Sequence, residues 1–333
     1  RRFNLLYIKI SMRAFITGGA GFIGHNVIRF LEQQGVECFG VDNRTNYGFV
    51  PSSELNYLIT ERLKRIRATP LVGDIRSGED IKSRIGMFSC DTIIHLASFP
   101  RQKVVSQFPS VASEVMATGL VNLLEAAVTH KIKRFVYISS SMVYGDFEND
   151  VNEDAACNPI GQYGIMKYMG EQLVKDYARQ HGFEYVIIRP SAVYGEWDVE
   201  DRVVSKFMLG AMRGETLKVK GAGEVLDFTY VEDAAMGIVQ ASMSTRAANK
   251  IYNITRSDLT LVTLKEAAEL AISIAGSGSL EIQDRDLAFP KRGRLSIDRA
   301  VADFGYSPKV SVEDGFNRYY NWFKASSYWN SKL

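Results

Sequence analysis

Three glycines at three-residue intervals, Gly18, Gly21 and Gly24, stand between an apolar strand-like run and an amphipathic helix-like one. The run before them is Ala14-Phe15-Ile16, and the helical pattern after them is Phe22, Ile23, Val27, Ile28, Phe30 and Leu31. Few folds accommodate a strand, a glycine turn and a helix start this close together. Glycine permits the tight turn and lets backbone N–H groups approach a ligand, and the helix N-terminus adds partial positive charge. That combination cradles a diphosphate, and in a βαβ unit it is the dinucleotide-binding fingerprint. A second apolar run, Glu37–Val41, ends in Asp42. That is about 20 residues beyond the loop, where a ribose-binding acid belongs.

The pattern that follows predicts a parallel sheet. Strands are expected at 14–18, 37–42, 69–75, 91–97 and 134–140, with a further one at 185–188. Helices are expected at 22–35, 52–66, 110–129 and 163–180. Short continuous apolar strands alternating with helices indicate an α/β domain with a sheet covered on both faces. The strand ends then share one edge, where ligands bind in such sheets. After Pro190 the elements shorten and loops lengthen, so residues 191–333 read as a smaller substrate-binding lobe. The boundaries expected are 12–190 for the dinucleotide domain, with a return segment near 227–254, and 191–333 for most of the lobe.

Composition narrows the partners. The chain has 333 residues and a net charge of +2, three of whose positive charges are Arg1, Arg2 and Lys9. The rest is close to neutral, which offers no surface for nucleic acid or for a charged membrane. Cys38, Cys90 and Cys157 are odd in number and far apart, so neither a metal site nor a disulfide framework is expected, in keeping with a cytoplasmic protein. No uncharged apolar run approaches the roughly 20 residues of a membrane span. Residues 1–11 precede what reads as a natural first strand at Met12, and are expected to be an extension. The aromatic helix near the end (Phe316, Tyr319, Tyr320, Trp322, Phe323) has the spacing of a packing face.

Two tracts carry chemistry. Ser139-Ser140-Ser141-Met142-Val143-Tyr144-Gly145 ends the fifth strand, and Tyr163-Gly164-Ile165-Met166-Lys167 opens a helix. Tyr163 and Lys167 at i and i+4 share a helix face. An ammonium beside a phenol is expected to lower the phenol's pKa from near 10 and make it a general base. A second Tyr-x-x-x-Lys, Tyr320 to Lys324, lies far from any glycine loop and reads as coincidence.

In these tracts the chain resembles the extended short-chain dehydrogenase/reductases, and among them the NAD-dependent nucleotide-sugar epimerase/dehydratase group. The motifs are TGGAGFIG (17–24), VDN (41–43), GDI (73–75), HLAS (95–98), SSSMVYG (139–145), YGIMK (163–167), RPSAVYG (189–195) and LDFTYVED (226–233), with a weaker tail at 290–298 and 304–308. The resemblance implies a Rossmann-type doubly wound sheet with NAD as cofactor. Gly18, Gly21, Phe22, Ile23 and Gly24 then hold the pyrophosphate, and Asp42 with Asn43 the adenosine ribose. Asp74 and Ile75 flank the adenine, while Leu96, Ala97 and Ser98 line the nicotinamide side. Ser140, Tyr163 and Lys167 form the catalytic triad, with Tyr163 and Lys167 also touching the cofactor. Ser140, Ser141, Arg101 and Arg292 contact the substrate, the two arginines on its diphosphate. The partner implied is a nucleotide-diphosphate sugar, a UDP-sugar foremost. A homodimer is implied through the helices at 110–129 and 163–180, with Val111, Val115, Leu120, Leu123, Leu124, Tyr168, Leu173, Val174 and Tyr177 on their apolar faces.

The departures are informative too. Where the dehydratases carry Asp-Glu after the triad serine, this chain has Ser141 and Met142. Water elimination needs an acid and a base there, and neither residue serves. Met116, Ala192, Leu226 and Met166 also differ from the group's usual Asn, Asn, Arg and small residue. The reaction expected is epimerisation, at C4 through a transient ketone. The alternatives are a nucleotide 4-ketosugar reductase and, in another class, a silent dinucleotide-binding sensor.

Overall fold

The computed structural model describes residues 12–99 and 101–333. The segment 1–11, expected to be an extension, lies outside the described residues. Seven parallel strands form the central sheet: β1 Arg13–Thr17, β2 Glu37–Asp42, β3 Leu71–Val72, β4 Thr92–His95, β5 Arg134–Ile138, β6 Glu184–Pro190 and β7 Lys250–Ile254. Their order is β7-β6-β5-β4-β1-β2-β3. Strand order therefore reverses between β1 and β4, which opens a crevice at their carboxyl ends. Every one of these strands pairs in parallel with its neighbours. β7 comes from beyond residue 190, so the chain returns from the lobe to close the sheet.

The sheet strands are apolar on both faces because both faces are covered. On one side lie α3 (Gly78–Phe88), α4 (Pro109–Thr129) and α5 (Gln162–His181), burying Ile81, Ile85, Leu120, Leu124 and Val174 against Phe15, Phe135 and Ile187. On the other lie α1 (Gly24–Gln33) and α7 (Val231–Met243), burying Val27, Leu31, Ile238 and Val239 against Ile16, Ile94 and Val136. The lobe has its own core, in which Phe207, Leu217, Phe228, Ala268, Phe316, Tyr319 and Phe323 are buried. It is built from α6 (Val203–Met212), α8 (Leu264–Ala275), α9 (Val312–Ala325) and a parallel strand pair, Thr216–Lys220 with Ser279–Gln283. The aromatic face of α9 is packing, as its spacing predicts. Lys324 of the second Tyr-x-x-x-Lys merely sits over the Tyr320 ring, 5.3 Å from its centre.

Several boundaries differ from those expected. The strand expected at 69–75 shrinks to Leu71–Val72, an exposed edge with a partner on one side only. α1 starts at Gly24, since residues 18–23 are spent on the turn. α3 was not anticipated, because its core side presents little beyond Ile81 and Ile85. α4 runs to 21 residues and contains a π-helical turn at Glu114–Thr118. By length and composition it could cross a membrane; half of it is buried inside the molecule. Val115, Leu120, Leu123, Leu124 and Val174, expected on a dimer face, are instead spent on the chain's own core. The apolar side chains these helices leave exposed or half-buried include Val111, Ile165, Tyr168, Leu173 and Tyr177.

Candidate active site

A cavity of about 1060 Å³ runs along the carboxyl edge of the sheet and under the lobe. Its floor is the glycine turn. Gly18 has φ +72°, and a Cβ there would lie 2.7 Å from the Ala97 backbone nitrogen. A Cβ at Gly24 would strike the Gly18 carbonyl. The turn is closed by Gly21 N–H donating to the Gly18 carbonyl at 3.0 Å. The N–H groups of Phe22 and Ile23 donate to no described residue, and α1 has no side-chain cap and no acid in its first turn. A helix start left open in this way fits a phosphate. Gly18→Ala combines a left-handed backbone with a clash, so NAD binding should weaken at least tenfold, the equivalent of about 1.4 kcal/mol. Titration with NAD followed by calorimetry measures it.

Asp42 ends β2 beside this turn. Its carboxylate accepts the N–H of Ala20 at 3.0 Å and of Arg44 at 2.7 Å. Burial pushes its carboxyl upward, against the pull of those two bonds and of Arg62 and Arg44. Asn43 donates to Asp74 at 3.2 Å, and Arg76 clamps the same carboxylate. That pairing holds Asp74 down at about 2. Leu96, Ala97 and Ser98 line the cavity beyond β4, and Ile75 lines it beyond β3. Thr17 ties this edge together: its hydroxyl meets His95 Nδ1 at 2.7 Å and accepts the Ala97 N–H at 3.2 Å. Burial keeps His95 neutral, down at about 3.

Sequence reasoning missed Arg62. It is 4% exposed and bonds the Ala20 carbonyl at 3.2 Å and the Trp197 carbonyl at 2.6 Å. It therefore joins the glycine turn to the first loop of the lobe. A signal existed: Leu58, Ile59 and Arg62 share the buried face of α2 (Ser52–Leu63), and a buried arginine needs partners.

At the other end of the cavity stand Ser140, Tyr163 and Lys167. Ser140 follows β5 and caps a short 3₁₀ turn, Ser141–Tyr144, accepting the Met142 N–H at 3.2 Å. α5 begins one residue before Tyr163 and packs closely on that turn, since a Cβ on Gly164 would sit 2.7 Å from the Met142 carbonyl. Gln102 holds the Tyr163 N–H at 3.0 Å. The Lys167 ammonium donates to the Ile138 carbonyl at 2.7 Å and lies 5.9 Å from the centre of the Tyr163 ring.

The expected effect of Lys167 on Tyr163 is corrected. Burial raises the phenol, and the influences that lower it are Arg202 and the Ser140 hydroxyl rather than Lys167. The ammonium is directed at a carbonyl, and burial pushes it down to about 7, with Glu171 pulling back up. Between pH 7 and its ordinary 10.5 the unfolded chain then holds a proton that the folded chain lacks. Stability contributed by Lys167 therefore rises with pH through that window. Comparing wild type with Lys167→Met in urea titrations at several pH values, the balance should move toward wild type from pH 7 to 10. A difference that stays flat would mean that Lys167 remains charged throughout.

Ser141 donates to Ser191 at 3.1 Å, and both hydroxyls line the cavity. Met142 is 7% exposed. Arg292 lines the lobe end and bonds to no described residue; burial pushes it down to about 10, opposed by Glu224. Arg101 lines the cavity too, but its guanidinium is committed. It holds the carbonyl and the carboxylate of Asp201, the latter at 2.8 Å, and stacks 3.9 Å over Phe49. Around the cavity, eleven lysines and arginines face six aspartates and glutamates. That excess fits an anionic ligand.

The model of the NAD-dependent epimerase/dehydratase family matches residues 14–255. The chain belongs to this family. A UDP-glucuronate 4-epimerase of Thermodesulfobacterium geofontis is 27% identical over 93% of this chain and 95% of its own. A dTDP-glucose 4,6-dehydratase of Streptomyces niveus is 29% identical over 96% and 94%. The crystal structure of UDP-glucuronic acid 4-epimerase from Bacillus cereus, with UDP-glucuronic acid and NAD, superposes with a TM-score of 0.85 at 25% identity, covering 94% of this chain and 99% of that one. The cofactor of this family is NAD, and the open N–H groups and the Asp42 carboxylate fit it.

Proposed function

We propose that this protein is a nucleotide-sugar 4-epimerase acting on a nucleoside-diphosphate sugar, with UDP as the favoured nucleotide. The supporting observation is the pairing of a complete Ser140–Tyr163–Lys167 set with Ser141 and Met142 where elimination needs acids. Ser141 is engaged with Ser191, and Met142 is buried apolar bulk. Neither can move a proton between C5 and C6 of a sugar.

NAD, when bound, would supply an acceptor that takes a hydride and returns it. Tyr163 removes the proton of the sugar 4-hydroxyl and restores it after the sugar has turned. Ser140 donates a hydrogen bond to the same oxygen. Lys167, one helical turn beyond Tyr163 and anchored on the Ile138 carbonyl, would hold a ribose hydroxyl of the cofactor. Arg292 takes the diphosphate, so the sugar turns while tethered. The protein works as a cytoplasmic homodimer in this reading, with Ile165 and its neighbours on α5 at the contact. Light scattering should give twice the chain mass.

The test is NMR of UDP-sugars incubated with the NAD-loaded protein. A mixture of C4 epimers without net NADH formation is expected. A 4-keto-6-deoxy product, or stoichiometric NADH consumption with a ketosugar, would overturn the assignment.

A further inference from the structure

The chain passes from the lobe back to the sheet domain just before Arg292. Up to Gln283 it is a lobe strand, paired with Thr216–Lys220, and Arg285 grips Glu224 of the lobe at 3.0 Å. From Lys291 onward its hydrogen bonds turn to the segment 146–151. That segment continues from the 3₁₀ turn that Ser140 caps. The Lys291 N–H donates to the Asp146 carboxylate at 2.7 Å, and the Lys291 carbonyl accepts the Phe147 N–H at 3.0 Å. The Arg294 N–H donates to Asn149 Oδ1 at 2.8 Å, and its guanidinium pairs with Asp150. The Arg294 carbonyl accepts the Val151 N–H at 3.3 Å, and the Val151 carbonyl accepts the Ser296 N–H at 2.9 Å.

Packing tightens this strap. A Cβ on Gly293 would lie 2.5 Å from the Glu148 carbonyl carbon and 2.8 Å from the Asn149 nitrogen. Both are backbone atoms, so neither can swing aside. Leu295 is fully buried and packs with Val143 and Tyr144 of the 3₁₀ turn itself. Asn253 on β7 joins the three pieces. Its Oδ1 accepts the Tyr144 hydroxyl at 2.8 Å, and its Nδ2 donates to the Val151 and Ser296 carbonyls at 3.3 and 3.1 Å. The Ser140 turn, the segment 146–151 and the segment 291–296 are thus anchored together on the sheet.

Arg292 stands between two pinned neighbours, Lys291 and Gly293. Its guanidinium lines the cavity and bonds to no described residue. An arginine whose backbone is already fixed loses less freedom when it grips an anion. Its anchor is also the turn that carries Ser140, so the distance from diphosphate to reacting groups is set within the sheet domain. The tether then keeps its register with Ser140 while the sugar turns.

We propose that Asp146, Asn149 and Gly293 are positioning residues that fix Arg292 to the Ser140 turn, so that one body carries both the diphosphate tether and the catalytic serine. The inference rests on the reading of Arg292 as the diphosphate ligand.

The experiment is calorimetric titration of the NAD-loaded protein with UDP, which reads the tether without turnover. Arg292→Met should weaken UDP by about 10- to 150-fold, the range of a charged hydrogen bond lost. Gly293→Ala should weaken it by about tenfold in the wild-type background and by less than about twofold in Arg292→Met, because the two changes act through one guanidinium. NAD affinity, measured in parallel, should stay within about threefold. Asp146 supplies a second, milder probe should Gly293→Ala fail to fold. Asp146→Ala should weaken UDP by about threefold or more, whereas Asp146→Asn, which keeps an acceptor for the Lys291 N–H, should stay within about twofold of wild type. Equal factors in both backgrounds, unchanged UDP affinity in Gly293→Ala and Asp146→Ala, or a parallel loss of NAD would each overturn the inference. An inert Arg292→Met would overturn it too, by removing Arg292 from the diphosphate. The 4-epimerase reading is judged separately, by the NMR assay on wild type, and its failure would leave the UDP result intact.

Discussion

Tyr163→Phe should lower turnover by about 10²- to 10⁴-fold, the usual contribution of a positioned general base, while NAD and the nucleotide sugar still bind. The ring is held by features that the hydroxyl does not touch. Gln102 fixes its backbone N–H, Gly164 seats the helix on the Met142 carbonyl, and α5 packs on the sheet. Phenylalanine therefore fits the same space and removes only the proton-transfer atom. The loss should fall on kcat, with KM changed little, because the interaction matters where the proton moves. The pH profile adds a second reading. Burial raises the Tyr163 phenol, and Lys167, down at about 7, is not what lowers it. Turnover should thus rise with pH through neutrality in wild type, and the residual rate of Tyr163→Phe should not follow that limb. Wild-type turnover by Tyr163→Phe would remove the base from the mechanism.

What could be read beforehand was what short stretches of chain encode. The glycine turn, the acid ending β2 and the Tyr163–Lys167 pair are each defined by spacing along one strand–turn–helix. A carboxylate at residue 42 meets an N–H at residue 20 because parallel neighbours β1 and β2 place their carboxyl ends side by side. The pattern of alternating strands and helices already implied that. The rest depends on pairs joined only by the finished fold. Arg101 looks from sequence like a free cation past a strand, yet Asp201, 100 residues on, takes its charge. Arg202 looks like one charge among several in a loop, and only the folding of the lobe over the sheet brings it to the cavity wall. The direction of the Lys167 ammonium was also hidden. The i, i+4 spacing gives a shared face, whereas the Ile138 carbonyl at the end of β5 decides where the nitrogen points. The edge strand β3 shrank for a related reason: with one partner and an exposed surface, its apolar residues had no second face to bury.

Arg189→Met should destabilise the protein by about 3–5 kcal/mol, the cost of leaving one member of a buried ion pair alone. Arg189 on β6 and Glu171 on α5 are 2% and 0% exposed. They meet through two hydrogen bonds, Nε–Oε1 at 2.9 Å and Nη2–Oε2 at 2.7 Å. Ser139 donates to the same carboxylate at 2.5 Å, and the guanidinium carbon lies 4.7 Å from the centre of the Tyr144 ring. Lys167 also feels the Glu171 charge, but its ammonium is engaged with the Ile138 carbonyl. The pair lies one helical turn past Lys167 and two past Tyr163, so it fixes the register of α5 against the sheet beneath the reacting groups. Removing Arg189 should consequently lower kcat as well as the urea midpoint. The double variant Arg189→Met/Glu171→Met separates charge from packing. If the uncompensated carboxylate is the source, the double variant recovers most of the lost stability, because apolar replacement of a whole buried pair is often close to neutral. It should not recover activity in proportion, since the bonds from Arg189 and Ser139 to Glu171 that held α5 in register are gone. A double variant as unstable as the single one would assign the loss to packing around Arg189 instead.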